Sequence, residues 1–214
     1  MEKRRVLVTG GNRGIGLATV EAFHAAGHEV VLGSRDAEEG RAAAPEGVEV
    51  VQLDVTDPKS IAAAAKAMGE RGVDILVNNA GVYPQGALLD ETGLFADTLD
   101  INLHGPLRLA QAFMPGMNAR GWGRVLNVTS GYGSIASGTL NGPPIYSVSK
   151  AALNALTMAL AREAVGDVSV VAVDPGWVRT RMGGPNASLA PEAPASRMLE
   201  LAGRPAGETN GKVI

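Results

Sequence analysis

Six short runs of aliphatic residues, at 6–8, 30–32, 48–51, 75–77, 125–128 and 168–173, recur along the chain with longer stretches between them. Runs this uniformly apolar suit strands buried on both faces, as in a parallel sheet covered by helices on each side. The stretches between them carry helical signals. Ile15, Ala18, Ala22 and Ala26 recur at spacings of three and four, and Gly27 follows as a stop. Asp57-Pro58 sets a capping carboxylate before a proline suited to the first helical position. Residues 61–71 are alanine-rich and precede Gly72, while 145–165 hold mostly strong helix formers after their first turn. This alternation predicts one doubly wound α/β domain over residues 1–214, a parallel sheet with right-handed crossovers and helices on both faces. A ligand is then expected at the carboxyl ends of the strands, where the strand order reverses.

Composition narrows the classes further. The 214 residues, 45% hydrophobic and 19% charged, suffice for one well-buried core. The absence of cysteine excludes a disulfide scaffold, thiolate metal sites and a thiol nucleophile. A pI near 5.7 argues against a nucleic-acid partner, which needs a clustered basic face. No run approaches the ~18 apolar residues that span a bilayer. The three apolar residues after Met1-Glu2-Lys3-Arg4-Arg5 are too few for a secretory signal. A cytoplasmic protein with no membrane partner is therefore expected. Gly27 separates His24 from His28, whose placement suits a helix C-terminus, and no metal is expected.

Directly after the first run comes Thr9-Gly10-Gly11-Asn12-Arg13-Gly14-Ile15-Gly16, with a helix beyond. Glycines here permit a tight turn, close approach of backbone to a pyrophosphate, and close packing of helix on strand. The helix start offers unpaired N–H groups to phosphate. A Walker-type phosphate loop is excluded, because Leu17-Ala18 stand where it needs Lys and Ser or Thr.

The Thr-Gly-x-x-x-Gly-Ile-Gly spacing resembles the cofactor fingerprint of the short-chain dehydrogenase/reductase family. Asn78-Asn79-Ala80-Gly81, Tyr146-Ser147-Val148-Ser149-Lys150 and Pro175-Gly176-Trp177-Val178-Arg179-Thr180 are similar to further motifs of that family and follow in its order. The resemblance implies a Rossmann fold with a nicotinamide cofactor on the glycine turn, at Gly10, Asn12, Arg13, Gly14, Ile15 and Gly16. It implies Asp54 and Val55 beside the adenine, and Asn79, Ala80 and Gly81 along the adenosine ribose, with Asn79 also bracing neighbouring strands. Pro175, Gly176, Val178 and Thr180 would lie along the nicotinamide.

At the end of the second strand, a carboxylate would bond the ribose hydroxyls of NAD and repel an extra phosphate. Gly33-Ser34-Arg35 instead puts Ser34 at that position, with Arg35 beside it and Arg13 in the glycine turn. Two guanidinium groups suit a 2′-phosphate, and NADP(H) is the expected cofactor. Asp36 remains a rival, since a shift of one residue would set its carboxylate at the ribose.

Tyr146 and Lys150, four apart in a helical stretch, share one face. An ammonium ~4 Å from a phenol is worth on the order of 4 kcal/mol at an effective dielectric of 20. That is enough to bring a pKa of ~10 down to about 7, and an acidified phenol is expected. By resemblance Tyr146 is the proton donor, and Lys150 also holds the nicotinamide ribose. Ser130 would bond the substrate oxygen, and Asn102 would anchor a water relay behind Lys150. Ser130 lies sixteen residues before Tyr146 and Ser134 twelve. Ser130 is preferred because it directly follows a strand; Ser134 is the rival.

Residues 181–187 and 208–214 resemble the carbonyl-reductase-like branch of the family. The expected activity is NADPH-dependent reduction of a small aldehyde, ketone or quinone. A 3-oxoacyl thioester or pteridine reductase and a non-catalytic dinucleotide sensor are the alternatives. A mobile substrate lid is expected around 177–200. Trp177, Tyr132, Tyr83 and Met182 are candidates for an apolar pocket, and Arg179 or Arg181 for meeting an anion. A homo-oligomer, dimer or tetramer, is implied, with Ala151, Ala152, Ala155 and Ala159 permitting close approach of the tyrosine-bearing helix to its copy.

Overall fold

Each of the six aliphatic runs forms a strand in the computed structural model, which describes residues 2–89, 93–136 and 140–214. The order is β1 (Arg5–Thr9), α1 (Gly14–Ala25), β2 (Glu29–Ser34), α2 (Ala37–Ala43), β3 (Glu49–Gln52), α3 (Pro58–Met68) and β4 (Ile75–Asn78). Then come α4 (Leu94–Leu99), a π-helical turn (Asp100–His104), α5 (Gly105–Arg120), β5 (Trp122–Val128) and a 3-10 turn (Gly131–Gly133). The chain continues with α6 (Pro144–Ala161), β6 (Asp167–Val173), α7 (Glu192–Gly203) and α8 (Ala206–Thr209). Residues 137–139, in the loop expected between Gly131 and Pro144, lie outside the described residues.

All strand pairs are parallel, in the order β3-β2-β1-β4-β5-β6. Successive side chains point to opposite faces, so each strand feeds two cores. Leu7, Leu76, Val125 and Val170 pack under α3, α5 and α6, with Ile61, Phe113 and Leu160. Val8, Leu32, Val77 and Val171 face α1 and α7, with Phe23, Met198 and Leu201. The chain leaves β1 for β2 on one side and reaches β4 on the other, so the strand order reverses between β1 and β4.

Several ends differ from the sequence reading. The third helix stops at Gly69, whose φ of 65° ends it before Gly72, and α6 closes at Arg162 rather than at Val165. Asp57 accepts the Lys59 N–H at 2.9 Å, with Pro58 at the first helical position. His28 is buried and takes the Arg4 N–H on Nδ1, and burial lowers its pKa. It is therefore not placed to act as a cation at the end of α1.

A buried polar chain fixes α6 on the sheet. Asn78 Nδ2 donates to Asn127 Oδ1 (2.8 Å), and Asn127 Nδ2 donates to Thr157 Oγ1 (2.9 Å). Thr129 Oγ1 donates to Asn154 Oδ1 at 2.6 Å. Buried donors that lose a partner cost about 1–3 kcal/mol each. Asn127→Ala should therefore lower unfolding free energy by about 2–4 kcal/mol in urea titrations with an unchanged m value. A loss under about 0.5 kcal/mol would show that the chain does not hold α6.

Candidate functional site

Beyond the carboxyl ends of β1 and β4 lies a cleft of about 1330 Å³. Its walls include Gly10, Asn12, Arg13, Gly14 and Ile15 from the turn, Ser34 and Arg35 after β2, and Asp54 and Val55 after β3. Asn79, Ala80, Gly81, Tyr146, Lys150, Pro175 and Thr180 complete the set of expected residues found there. Gly16, Gly176 and Val178 do not line it. Val178 is buried in the bridge it makes to Leu189. Gly176 turns the chain at φ 72°. Gly16 lies behind the cleft wall, where a Cβ would come within 2.3 Å of the Gly10 carbonyl oxygen.

The glycine turn is held from β4. Asn79 Nδ2 donates to the carbonyls of Thr9 (2.9 Å) and Gly10 (3.1 Å), while Thr9 Oγ1 accepts the N–H groups of Asn79 and Ala80 at 3.0 Å each. Gly10 and Gly14 take φ of 62° and 54°, a region open mainly to glycine. The first turn of α1 carries neither an acidic residue nor a side-chain cap. Its N–H groups and partial positive charge thus remain available to an anion in the cleft. This combination fits a dinucleotide pyrophosphate.

At the other end of the cleft, Ser34 is buried and Arg35 exposed. Arg13 and Arg35 make no ion pair among the described residues, although the charge of Arg35 reaches Asp54. Burial would raise the Asp54 pKa, but hydrogen bonds from Thr56 and the field of Arg35 bring it below its ordinary value. The Asp36 carboxylate caps α2, accepting from the N–H groups of Glu38 (2.8 Å) and Glu39 (3.2 Å). Glu39, which the sequence reading missed, also lines the cleft and accepts from Asn12 Nδ2 at 3.0 Å.

The tyrosine and lysine of α6 meet the cleft one turn apart, but their electrostatics differ from expectation. Lys150 Nζ donates to the Val128 carbonyl at 2.8 Å and lies 5.7 Å from the centre of the Tyr146 ring. Burial lowers the lysine from 10.5 to about 8. Burial likewise pushes the Tyr146 phenol up to about 12; its hydrogen bond with Ser130 opposes the rise, and Tyr83, Asp174 and Tyr132 add to it. The expected acidification by lysine is thus reversed, because desolvation of the phenolate outweighs a cation aimed at a carbonyl.

Ser130, not Ser134, is the serine whose hydroxyl acts on Tyr146, opposing the rise of the phenol pKa. Ser134 is exposed and accepts the Ala136 N–H at 3.4 Å. Asn102 sits in the π-helical turn, a distortion the sequence reading did not anticipate. Its Oδ1 accepts the Val82 N–H (2.9 Å), and its Nδ2 donates to Val82 O and Ser149 Oγ at 3.0 Å each. With both amide hydrogens engaged, Asn102 clamps the strand-end loop to α6.

The lid expected over 177–200 divides in two. Residues 177–189 fold on themselves: Trp177 Nε1 donates to Gly183 O (2.8 Å), and Arg179 donates to the carbonyls of Ala187 and Ser188 at 3.1 Å. From Glu192 the chain is α7, whose Ala195, Met198 and Leu201 are buried. Asp174, another residue the sequence reading missed, accepts the Gly176 N–H at 3.0 Å; a Cβ on Gly131 would lie 3.1 Å from its other carboxylate oxygen. Only its place before Pro175-Gly176 could have marked it.

Comparison with known proteins agrees with this geometry. The short chain dehydrogenase family profile matches residues 4–189. The chain is 36% identical over 183 residues to the 3-oxoacyl-acyl-carrier-protein reductase MabA of Mycobacterium tuberculosis, covering 84% of this chain and 71% of that protein. It is 35% identical over 190 residues to the D-xylose 1-dehydrogenase of Caulobacter vibrioides, covering 85% and 74%. Among solved structures, the NADPH-bound carbonyl reductase from chicken fatty liver superposes with a TM-score of 0.86 at 32% identity, covering 100% and 96%. The chain is an oxidoreductase of the short-chain dehydrogenase/reductase family, built on that family's Rossmann fold.

Proposed function

We propose that this protein reduces a carbonyl compound, an aldehyde, ketone or quinone, to the alcohol with NADPH. The observation that carries the proposal is a buried phenol, Tyr146, under the influence of Ser130 and sharing one cleft with the glycine turn. When bound, the cofactor supplies hydride. Tyr146 delivers a proton to the carbonyl oxygen, Ser130 orients that oxygen, and Lys150 positions the ribose. A phenol with a pKa of about 12 stays protonated across physiological pH, though so weak an acid gives up its proton reluctantly near neutrality. Gly10, Gly14 and the start of α1 cradle the pyrophosphate, Asp54 and Val55 flank the adenine, and Asn79, Ala80 and Gly81 line its ribose. Pro175 and Thr180 border the nicotinamide. A 3-oxoacyl thioester substrate is the second reading, favoured by the likeness to MabA. Ala155, Met158 and Ala159 leave an exposed face on α6 that suits packing against a second copy.

Tyr146→Phe should reduce kcat by about 10²–10⁴-fold, followed as loss of NADPH absorbance over a panel of carbonyl compounds and acyl thioesters. Its NADPH Kd should stay within about threefold. Retained turnover would remove the phenol from the mechanism.

Arg13 and Arg35 favour NADP(H) as clamps for the 2′-phosphate, and the carboxylate of Asp36 is already engaged. A charge-assisted hydrogen bond is worth about 1.5–3 kcal/mol. Arg35→Asp should therefore lower the NADPH:NADH ratio of kcat/KM by at least about tenfold. An unchanged ratio would withdraw the preference.

Lys150 makes the site costly. With its pKa depressed, the folded state loses stability wherever the unfolded lysine is protonated, fully below about pH 8 and not at all above 10.5. The drop corresponds to about 3 kcal/mol, offset by about 1 for the bond to Val128. Lys150→Met should thus be more stable than wild type by about 2 kcal/mol at pH 7, with the gap closing between pH 8 and 10.5. Denaturant titrations across that range would show otherwise if the gap were constant.

A further inference from the structure

The chain has only three tyrosines, and all three meet at the site. Tyr83 stands edge-on to Tyr146, ring centres 4.6 Å apart, and Tyr132 lies 6.5 Å from each of them. The planes of Tyr83 and Tyr132 are within 18° of parallel, while both are near-perpendicular to Tyr146. Tyr83 and Tyr132 thus flank the Tyr146 ring, beside the place a carbonyl compound bonded to its hydroxyl would occupy. Aromatic faces and edges favour another ring at such distances over a saturated group of equal size. Tyr132 is held from behind, since a Cβ on Gly142 would come within 2.8 Å of its ring.

The surroundings match. Of the thirteen large hydrophobic residues exposed among the described ones, ten lie between 82 and 95, 132 and 140, or 177 and 189, in the loops following β4, β5 and β6 and, for Phe95, at the start of α4. Apolar exposure concentrated at one mouth marks a binding surface rather than scattered surface residues. Asp174 adds a negative charge beside Tyr146, and the guanidinium of Arg179 is spent on the carbonyls of Ala187 and Ser188. An anionic substituent beside Tyr146 would meet the repulsion of Asp174, whereas Arg181, which lines the cofactor cleft, makes no ion pair among the described residues.

We propose that the substrate is a carbonyl compound bearing an aromatic ring, and that Tyr83 and Tyr132 determine this specificity. The inference rests on the reductase reading and narrows it. Its test compares benzaldehyde with cyclohexanecarbaldehyde, alike in charge and ring size, at saturating NADPH. Tyr83→Leu and Tyr132→Leu should each lower the aromatic-to-saturated ratio of kcat/KM about tenfold, and Tyr83→Phe and Tyr132→Phe should keep it within twofold. Should Tyr83→Leu fail to fold, Tyr132→Leu carries the test, because that side chain is already exposed.

Calorimetry on NADPH-loaded Tyr146→Phe supplies a readout free of turnover. Benzyl alcohol should bind at least threefold more tightly than cyclohexylmethanol, and adding Tyr132→Leu should erase the difference. Ratios unchanged within twofold in the leucine variants would overturn the inference while leaving the reductase reading intact. Ring-selective binding without turnover of any carbonyl compound would overturn that reading and support the aromatic site. Equal binding of the two alcohols would count against the aromatic site whatever the turnover.

Discussion

Where β1 and β4 lie side by side, their chains depart in different directions, and the last residues of each strand lose the pairing a sheet would give them. Buried backbone groups left in that state are expensive. Thr9 and Asn79 solve the problem reciprocally: the hydroxyl of one takes two N–H groups beyond β4, and the amide of the other donates to two carbonyls beyond β1. With the Gly10 carbonyl drawn inwards, residue 16 must come close enough that no side chain fits there. The fingerprint of glycines is thus a packing consequence of the strand parting, and the phosphate-facing start of α1 follows from it.

The same logic places the reactive side chains. Tyr146 and Lys150 belong to a helix with no covalent reason to sit over β5, and the Asn78–Asn127–Thr157 chain holds it there across two strands. Asn102 ties the loop after β4 to that helix from the opposite side. The cleft therefore has walls from separate parts of the sequence, fixed to one another by buried amides rather than by apolar contact alone. Buried amides specify register as well as proximity, since a shifted helix would leave each of them unpaired.

The inner strands were legible because burial on both faces demands aliphatic runs, whereas β3, at the sheet edge, is only partly buried and showed itself through Val50-Val51. The glycine turn and the Tyr-x-x-x-Lys pair were legible because their spacing is local. What the sequence hid is what tertiary contacts decide. The π-helical turn around Asn102 has no local signature, and it follows from the demands of Val82 and Ser149 on one side chain. Residues 192–200 read as part of a lid although Ala195, Met198 and Leu201 already recur at helical spacing, because the glycines and proline upstream drew the reading onwards. The helix ends at Gly69 and Arg162 were blurred by glycine and good helix formers lying just beyond. Spacing alone put Lys150 beside Tyr146 but could not say where its ammonium points.

That direction matters most for the chemistry. A cation aimed at a phenolic oxygen would make the phenol acidic and equally ready to take a proton or to give one. Here the ammonium is bonded to the Val128 carbonyl, and burial sets the phenol near 12. Ser130 eases the charge of a phenolate, whereas Tyr83, Tyr132 and Asp174 oppose it. The protein's own groups therefore hold Tyr146 neutral, which suits a group that donates and hinders one that must first lose its proton. Desolvation thus keeps the phenol of the free protein protonated, and the same burial makes Lys150 a liability to the fold.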